Sequence, residues 1–229
     1  MVKRSKRYRE AVARIDRDRT YEAQEAFDLL KELPAPKFDE TVEIVVRLGI
    51  DPRKSDQLVR GAVSLPRGLG KTVKVVVFAE GDKAEAAREA GADEVGSADL
   101  ADKIQGGWMD FDIVIASPDM MKHVGKLGKV LGPQGKMPSP KSGTVTPDVA
   151  KAVTDFKAGK VEFRTDAGGN VHAALGKRSF STEFLLENMH AFMDHLTGMR
   201  PAAVKGAFIR RVSVSTTMGP GALIAYGGE

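Results

Sequence analysis

The stretch Lys74-Val-Val-Val-Phe78 is apolar at four consecutive positions, which is typical of a β-strand buried on both faces of a sheet. Helix and strand patterns alternate after it in this order: a helix over residues 82–90, a strand near 93–95, a helix capped by Ser97 and a buried strand over 112–116. Because strands that alternate with helices are typical of parallel sheets, we expect such a sheet in the middle of the chain.

The two ends of the chain follow a different pattern, in which apolar and polar residues alternate. In Thr41-Val-Glu-Ile-Val-Val-Arg-Leu48 the even-numbered side chains are all apolar, which predicts a strand with one face on a core and one face exposed. Alternation returns after Gly159 in three predicted strands, over residues 160–166, 170–175 and 206–217. Two helices are predicted beside these strands, one over 20–33 with Thr20 as its N-cap and one over 182–197.

These two patterns predict a two-domain protein of mixed α/β and α+β class. A split α+β domain would be formed by both termini, residues 1–68 and 159–229, and an inserted Rossmann-like domain with a parallel α/β sheet by residues 69–158. Glycines stand at both chain crossings, at Gly68, Gly70 and Gly159. Because glycine absorbs large changes in φ and ψ, we expect a hinge there.

The composition is that of a cytoplasmic protein without a membrane span. Of 229 residues 42% are hydrophobic, enough for a sizeable core, and none is cysteine, which removes disulfides and thiolate metal sites. No apolar run approaches the roughly 20 residues that a membrane span needs. The basic N-terminus also lacks the apolar stretch of a signal peptide.

Positive charge is concentrated in two segments of a chain whose net charge is only +4. The first twenty residues carry eight basic side chains against three acidic ones. Residues 120–147 contain no acid and five lysines, namely Lys122, Lys126, Lys129, Lys136 and Lys141. Such segments attract polyanions, although any one of them can equally be a solvated surface, so composition alone does not identify RNA.

No cofactor, metal or catalytic motif is complete in this sequence. Gly68-Leu-Gly-Lys-Thr72 ends like a phosphate-binding loop, but Leu65 stands where the motif requires glycine. Glu80 follows the first buried strand, where it would repel the pyrophosphate of a dinucleotide. The four histidines lack metal-ligand spacing. An enzyme that closes over a small phosphorylated substrate near Ala79 and Ser117 stays as the alternative function.

The polar face of the terminal strands is the candidate binding surface. Its side chains are hydroxyls, cations, a carboxylate and an imidazole: Thr41, Arg164, Asp166, His172, Arg211, Ser213, Ser215 and Thr217. Such groups suit contacts to the phosphates and 2′-hydroxyls of folded RNA, although an ordinary solvated face would look the same. Met218 beside Gly219, and Phe38 beside Lys37, add apolar side chains that would approach bases or ribose closely.

Several motifs resemble the bacterial ribosomal protein L1 family. They include Leu48-Gly-Ile-Asp-Pro-Arg-Lys-Ser-Asp-Gln57, Gly107-Trp-Met-Asp-Phe-Asp112, Pro140-Lys-Ser-Gly-Thr-Val145 and Thr216-Thr-Met-Gly-Pro220. They occur in the family's order across nearly the whole chain. The resemblance implies a non-enzymatic protein of the large ribosomal subunit in the cytoplasm, monomeric when free, with an inserted domain that binds no cofactor and no metal.

The same resemblance implies the partners and the site. The first domain would bind folded large-subunit ribosomal RNA at the mobile stalk. The protein would assist release of deacylated tRNA from the exit site of the ribosome and repress translation of its own operon mRNA. By motif match, the RNA-binding residues would be Lys37, Phe38, Thr41, Arg164, Asp166, His172, Ser213, Ser215, Thr217, Met218 and Gly219.

The chain departs from the family pattern at a few positions, namely Arg67, Gln134, Lys136, Ser139 and Ala167. Ala167 replaces a lysine that is usual in the turn after Asp166, and so removes one cation near the expected RNA surface. Lys136 keeps the segment after Leu131 basic.

Overall fold

A computed structural model describes residues 4–226 of the chain, so Lys3 of the basic N-terminal segment lies outside the described residues. The chain divides into two compact units. The first unit consists of Met1–Gly70 and Val161–Glu229, and the second of Lys71–Lys160. The predicted fold class, a mixed α/β chain whose sheets include parallel strands, is confirmed.

Within residues 4–226 the strands, in chain order, are β1 (Thr20–Tyr21), β2 (Thr41–Leu48), β3 (Arg60–Ser64), β4 (Val75–Phe78), β5 (Glu94–Gly96), β6 (Ile113–Ala116), β7 (Lys160–Arg164), β8 (Asn170–Lys177), β9 (Ile209–Thr216) and β10 (Gly221–Ile224). The helices are α1 (Lys6–Ala13), α2 (Ala23–Glu32), α3 (Asp82–Glu89), α4 (Ala98–Gln105), α5 (Met121–Val124), α6 (Gly128–Leu131), α7 (Val149–Ala158) and α8 (Thr182–Gly198). None of the helices in these described residues is both long enough and apolar enough to span a bilayer.

The first unit is built on a five-stranded sheet in the order β1-β10-β9-β2-β8. Strand β2 pairs antiparallel with β8 on one side and with β9 on the other, so segments from both ends of the chain form one sheet. Helix α2 packs on β9 and β10, and α8 packs on β8. The apolar face of β2 is fully buried beneath these helices, as the alternation in residues 41–48 predicts.

One edge of this sheet differs from the sequence prediction. Thr20 is not a helix N-cap, because it lies in β1 and pairs in parallel register with Leu223 of β10. Helix α2 starts instead at Ala23, with Glu22 at the N-cap position. The two-residue strand β1 satisfies backbone groups at the edge of β10, including the N–H of Ala225, which donates to the carbonyl oxygen of Tyr21 at 2.8 Å.

The second unit contains a three-stranded parallel sheet in the order β5-β4-β6. Helices cover both faces of β4. On one face Val75 and Val77 pack with residues of α3 and α7, and on the other Val76 and Phe78 pack with residues of α4 and the short helices after β6. Burial on both faces explains why the run in residues 75–78 is continuously apolar.

Lys136 differs from the other lysines of the 120–147 segment. Its Nζ donates to the carbonyl oxygen of Phe111 and lies 4.7 Å from the centre of the Phe111 ring. Half-buried Lys136 therefore stabilises the second unit through its contacts with Phe111. The remaining four lysines of the segment have exposed side chains: Lys122, Lys126, Lys129 and Lys141.

Candidate nucleic-acid interface

One face of the five-stranded sheet carries polar side chains that the helices do not cover; we call it the polar sheet face. The β2–β9 register places Glu43 opposite Ser215 and Val45 opposite Ser213. On its other side, Val45 lies opposite His172 of β8. Three of the predicted residues, Ser213, Ser215 and His172, therefore share this face.

Thr41 and Thr217 are in direct contact at one end of the polar sheet face. The backbone N–H of Thr41 donates to Oγ1 of Thr217 at 3.0 Å, and the N–H of Thr217 donates to the carbonyl oxygen of Thr41 at 3.0 Å. Nζ of Lys177 donates to Oγ1 of Thr41 at 3.1 Å. These bonds continue the β2–β9 ladder by one residue and join the two loops that follow on each side.

Those two loops each expose a large apolar side chain. Phe38 is 53% exposed and Met218 is 51% exposed. Lys37, next to Phe38, is also exposed. Exposed apolar side chains that lie together, rimmed by polar residues, are typical of a site that contacts a ligand or partner, and the Thr41–Thr217 hydrogen bonds join these two loops.

A buried carboxylate fixes the backbone of the Met218 loop. Oε1 of Glu40, a residue only 1% exposed, accepts from the N–H of Met218 at 2.9 Å, and Oε2 pairs with Nη1 of Arg178 at 2.9 Å. Arg7 of α1 donates to the carbonyl oxygens of Met218 at 2.9 Å and of Pro34 at 3.1 Å. The exposed loops are thus held from beneath by ionic hydrogen bonds.

Sequence reasoning missed Glu40, although a signal was available. Residue 40 has the same parity as Val42, Ile44 and Val46, which all point into the core. A carboxylate at an inward position requires a buried partner, because an unpaired buried charge is strongly unfavourable. The partner, Arg178, is too far along the chain to be identified from sequence.

Gly219 is required by space in this loop. A Cβ at this position would lie 2.3 Å from Oγ1 of the buried Thr216, closer than any real contact. The N–H of Gly219 donates to the carbonyl oxygen of Thr216 at 3.0 Å and closes the turn. Glycine therefore allows the chain to turn tightly directly after Met218.

Asp166 organises the turn between β7 and β8. Its Oδ1 accepts from the backbone N–H groups of Gly168 at 2.8 Å and Asn170 at 2.7 Å, and its Oδ2 lies 3.2 Å from Nε2 of His172. Partial desolvation raises the pKa of Asp166, but hydrogen bonds from Asn170, His172 and Gly168 outweigh it and hold the pKa well below its usual range. Asp166 therefore stays ionised and orients the imidazole on the sheet face.

Arg164 lies outside the five-stranded sheet. It is the last residue of β7, which pairs with β3 in a separate two-stranded sheet. Thr165 bridges to Val171 in antiparallel register, so Arg164 and His172 are the next pair of residues along these two segments. The exposed Arg164 guanidinium and the Asp166 turn therefore flank the β8 edge of the polar sheet face, whereas Thr41, Thr217 and Met218 lie at one end of it.

The polar sheet face is not uniformly basic. Glu43 is exposed in the middle of it, between Ala174 and Ser215 in the strand register, and the half-buried Val45 follows two residues later. Short hydroxyls and an oriented imidazole dominate the centre, and cations lie towards the periphery. Such an arrangement suits recognition of a shaped RNA through its 2′-hydroxyls and phosphates better than simple attraction to any polyanion.

The second unit has a small cleft where the alternative function would need a substrate site. It has a volume of about 280 Å³ and is lined by Glu80, Asp82, Lys83, Ser117, Asp119 and Met120. Three carboxylates therefore face one lysine, and Nζ of Lys83 is already paired with Asp119 at 3.1 Å. This charge disfavours a phosphorylated ligand.

Comparison with known proteins agrees with the motifs. Residues 29–220 match the model of the ribosomal protein L1p/L10e family. Proteins named large ribosomal subunit protein uL1 are 57% identical in Cutibacterium acnes, over 97% of this chain and 96% of that protein, and 58% identical in Bifidobacterium longum subsp. infantis, over 96% of both. Both relatives are named as proteins of the large ribosomal subunit, which confirms the prediction of a non-enzymatic chain. The chain belongs to the ribosomal protein L1p/L10e family.

Proposed function

We propose that this ribosomal protein binds a folded segment of large-subunit ribosomal RNA at the mobile stalk through the polar sheet face of its first unit. It acts in the cytoplasm as a constituent of the large ribosomal subunit. The RNA-binding residues would be the eleven assigned by motif match, with Thr41, Thr217 and Met218 at one end of that face. Affinity would come from phosphate contacts at the rim, and selectivity from the hydroxyls and the two exposed apolar side chains.

One observation carries this proposal: the loop that exposes Met218 is hydrogen-bonded to Thr41 and to the buried Glu40, which closely follow the exposed Phe38 in the chain. A loop held this firmly loses little conformational entropy when a ligand binds. An exposed aromatic ring stacks on bases, and a flexible thioether adapts to the surface of a ribose. The arrangement therefore supports a preformed RNA-binding site.

Two substitutions test the site, Met218→Asp and Thr217→Val. Each is expected to weaken binding of a stalk ribosomal RNA transcript by roughly 1–3 kcal/mol in a filter-binding assay at fixed salt, as for other contacts at specific nucleic-acid interfaces. Phe184→Asp and Thr197→Val are matched controls, because both residues lie on α8, which covers the opposite face of the sheet. If all four variants bound the transcript with the same affinity as the wild type, the proposed interface would be ruled out.

We also propose the two further roles that the family resemblance implies. In both, Gly68, Gly70 and Gly159 would form the hinge at the two chain crossings between the domains. The protein would assist release of deacylated tRNA from the exit site and would repress its own operon mRNA. One RNA-binding face would serve ribosomal RNA and messenger in turn, because recognition by shape and 2′-hydroxyls admits any segment of the same fold. The hinge glycines have φ values of 62°, 66° and 114°, a region that favours glycine.

The messenger role has a direct test. A transcript of the operon leader should compete with the ribosomal RNA transcript for the protein, and Met218→Asp should weaken both complexes in parallel. A leader that binds without competing would contradict a shared site.

A further inference from the structure

A β-bulge near the end of β9 exposes two consecutive arginines. The β2–β9 register pairs Arg47 with Arg211 but Leu48 with Ile209, so that Arg210 is an extra residue on β9. In a regular strand, neighbouring side chains point to opposite faces. Here Arg210 and Arg211 are both exposed and Val212 is the first buried residue after them, as expected where a bulge redirects a side chain.

The bulge brings three like charges together. Arg47 and Arg211 lie directly opposite each other on antiparallel strands, and both are exposed. Like charges in this position are destabilising. Among the described residues, no carboxylate forms an ion pair with Arg47, Arg210 or Arg211. An unfavourable arrangement that the described part of the chain does not compensate indicates an anionic partner from outside.

Two of these arginines also line an open cleft of about 350 Å³ at the ends of β9 and β10. Thr20 and Tyr226 contribute a hydroxyl and a phenol to its lining, and Asp18 contributes a carboxylate. One acid against two guanidinium groups leaves the cleft positive. A guanidinium presents a planar fork of N–H donors that matches the oxygens of a phosphate.

We propose that Arg47, Arg210 and Arg211 form a phosphate-binding site for the backbone of the same RNA that the Met218 end of the face contacts. This inference rests on the proposed function and extends its footprint. Arg47 lies six positions after Thr41 on β2, a distance of about 20 Å at the usual rise per residue. The RNA would be held at two points, a recognition contact at Thr217 and Met218 and an electrostatic anchor at the bulge.

The experiment measures the salt dependence of binding for Arg47→Ala, Arg210→Ala, Arg211→Ala and the triple variant, with the stalk ribosomal RNA transcript as probe. Each single variant should reduce the slope of log affinity against log salt concentration by about 1, and the triple variant by about 2–3. Affinity for mutated stalk transcripts should fall in the same proportion, because phosphate contacts carry no base information. Arg88→Ala, an exposed arginine of α3 in the second unit, is the control for loss of charge.

Thermal melting separates this role from a structural one. Removing Arg211 relieves repulsion with Arg47, so the melting temperature of Arg211→Ala should equal or exceed that of the wild type. Arginines that stabilise the fold would instead lower it, and that result would contradict the proposal.

The remaining outcomes are equally decisive. If Met218→Asp loses affinity while the arginine variants keep the wild-type salt slope, the phosphate site is wrong and the proposed function stands. If the arginine variants lose slope but Met218→Asp binds normally, the anchor stands and the recognition site is wrong. Stabilisation of the wild type by millimolar inorganic phosphate, absent in the triple variant and without any change in RNA binding, would indicate a site for the free ion and overturn the RNA assignment.

Discussion

The carboxylate of Glu40 accepts a hydrogen bond from the backbone N–H of Met218 at 2.9 Å, although the two residues are 178 positions apart in the sequence. Its second oxygen pairs with Arg178, which also donates to the carbonyl oxygens of Lys31 and Leu33. This network joins segments from both ends of the chain directly beneath the exposed loops. The stability of the first unit and the shape of its candidate RNA-binding surface therefore depend on the same buried charges.

Replacing Glu40 by alanine should destabilise the protein by about 3 kcal/mol, because it leaves Arg178 buried without its charged partner. The side chains of Glu40 and Arg178 are only 1% and 13% exposed, so solvent screens the pair little. Chemical denaturation followed by circular dichroism would measure the loss as a lower midpoint with an unchanged slope.

Glu43→Ala is the matched control, since it removes an exposed glutamate from β2, three residues after Glu40. Its effect on the free energy of unfolding should stay within about 0.5 kcal/mol, as for most surface substitutions. Similar losses of unfolding free energy for the two variants would show that the buried Glu40–Arg178 pair stabilises the protein no more than an exposed glutamate does.

Gly219→Ala should destabilise the protein by about 1–3 kcal/mol and also weaken RNA binding. The added methyl group would meet the hydroxyl of the buried Thr216 at 2.3 Å, so the turn has to shift and carry Met218 with it. Denaturation and filter binding on the same preparation would measure both effects.

Gly221→Ala provides the comparison for stability. A Cβ at Gly221 would have its nearest neighbours at 3.7 and 4.0 Å, which is ordinary van der Waals contact. Its unfolding midpoint should lie close to that of the wild type. If Gly219→Ala were equally harmless, steric exclusion at the turn would not be the reason for glycine there.

Asp166 should make stability depend on pH in the acid range. Hydrogen bonds hold its pKa in the folded protein well below the unfolded value of about 3.9, so its contribution is complete above that value and is lost as the pH falls further. Since 40% of the side chain is exposed, screening limits the contribution to about 1 kcal/mol. The difference in unfolding free energy between wild type and Asp166→Asn should be constant from pH 7 to about pH 5 and shrink below pH 4.

Asp194→Asn, at an exposed position of α8, controls for the loss of a carboxylate and should not change stability at pH 7. A difference for Asp166→Asn that stayed constant down to pH 2 would mean that the carboxylate charge is irrelevant to the turn.

Local patterns in the sequence are sufficient to predict the strands whose side chains are buried in a regular pattern. The even-numbered apolar residues of 41–48 and the continuous run of 75–78 report directly whether one or both faces of a strand are covered. The exposed polar residues of β9 follow from the same alternation. Periodicity does not report partners, however, and for that reason the pattern at Thr20 predicts a helix cap although the residue lies in a two-residue strand.

The two kinds of sheet, the polar face of the terminal strands and the family can all be read from local patterns and motifs in the chain. The contacts between distant residues cannot, and folding alone brings together Glu40 with Met218, Asp166 with His172, and Arg47 with Arg211. This difference arises because side-chain alternation is a property of each strand alone. Register, bulges and buried ion pairs arise only when strands distant in the chain pair, and a shift of one residue would exchange every contact.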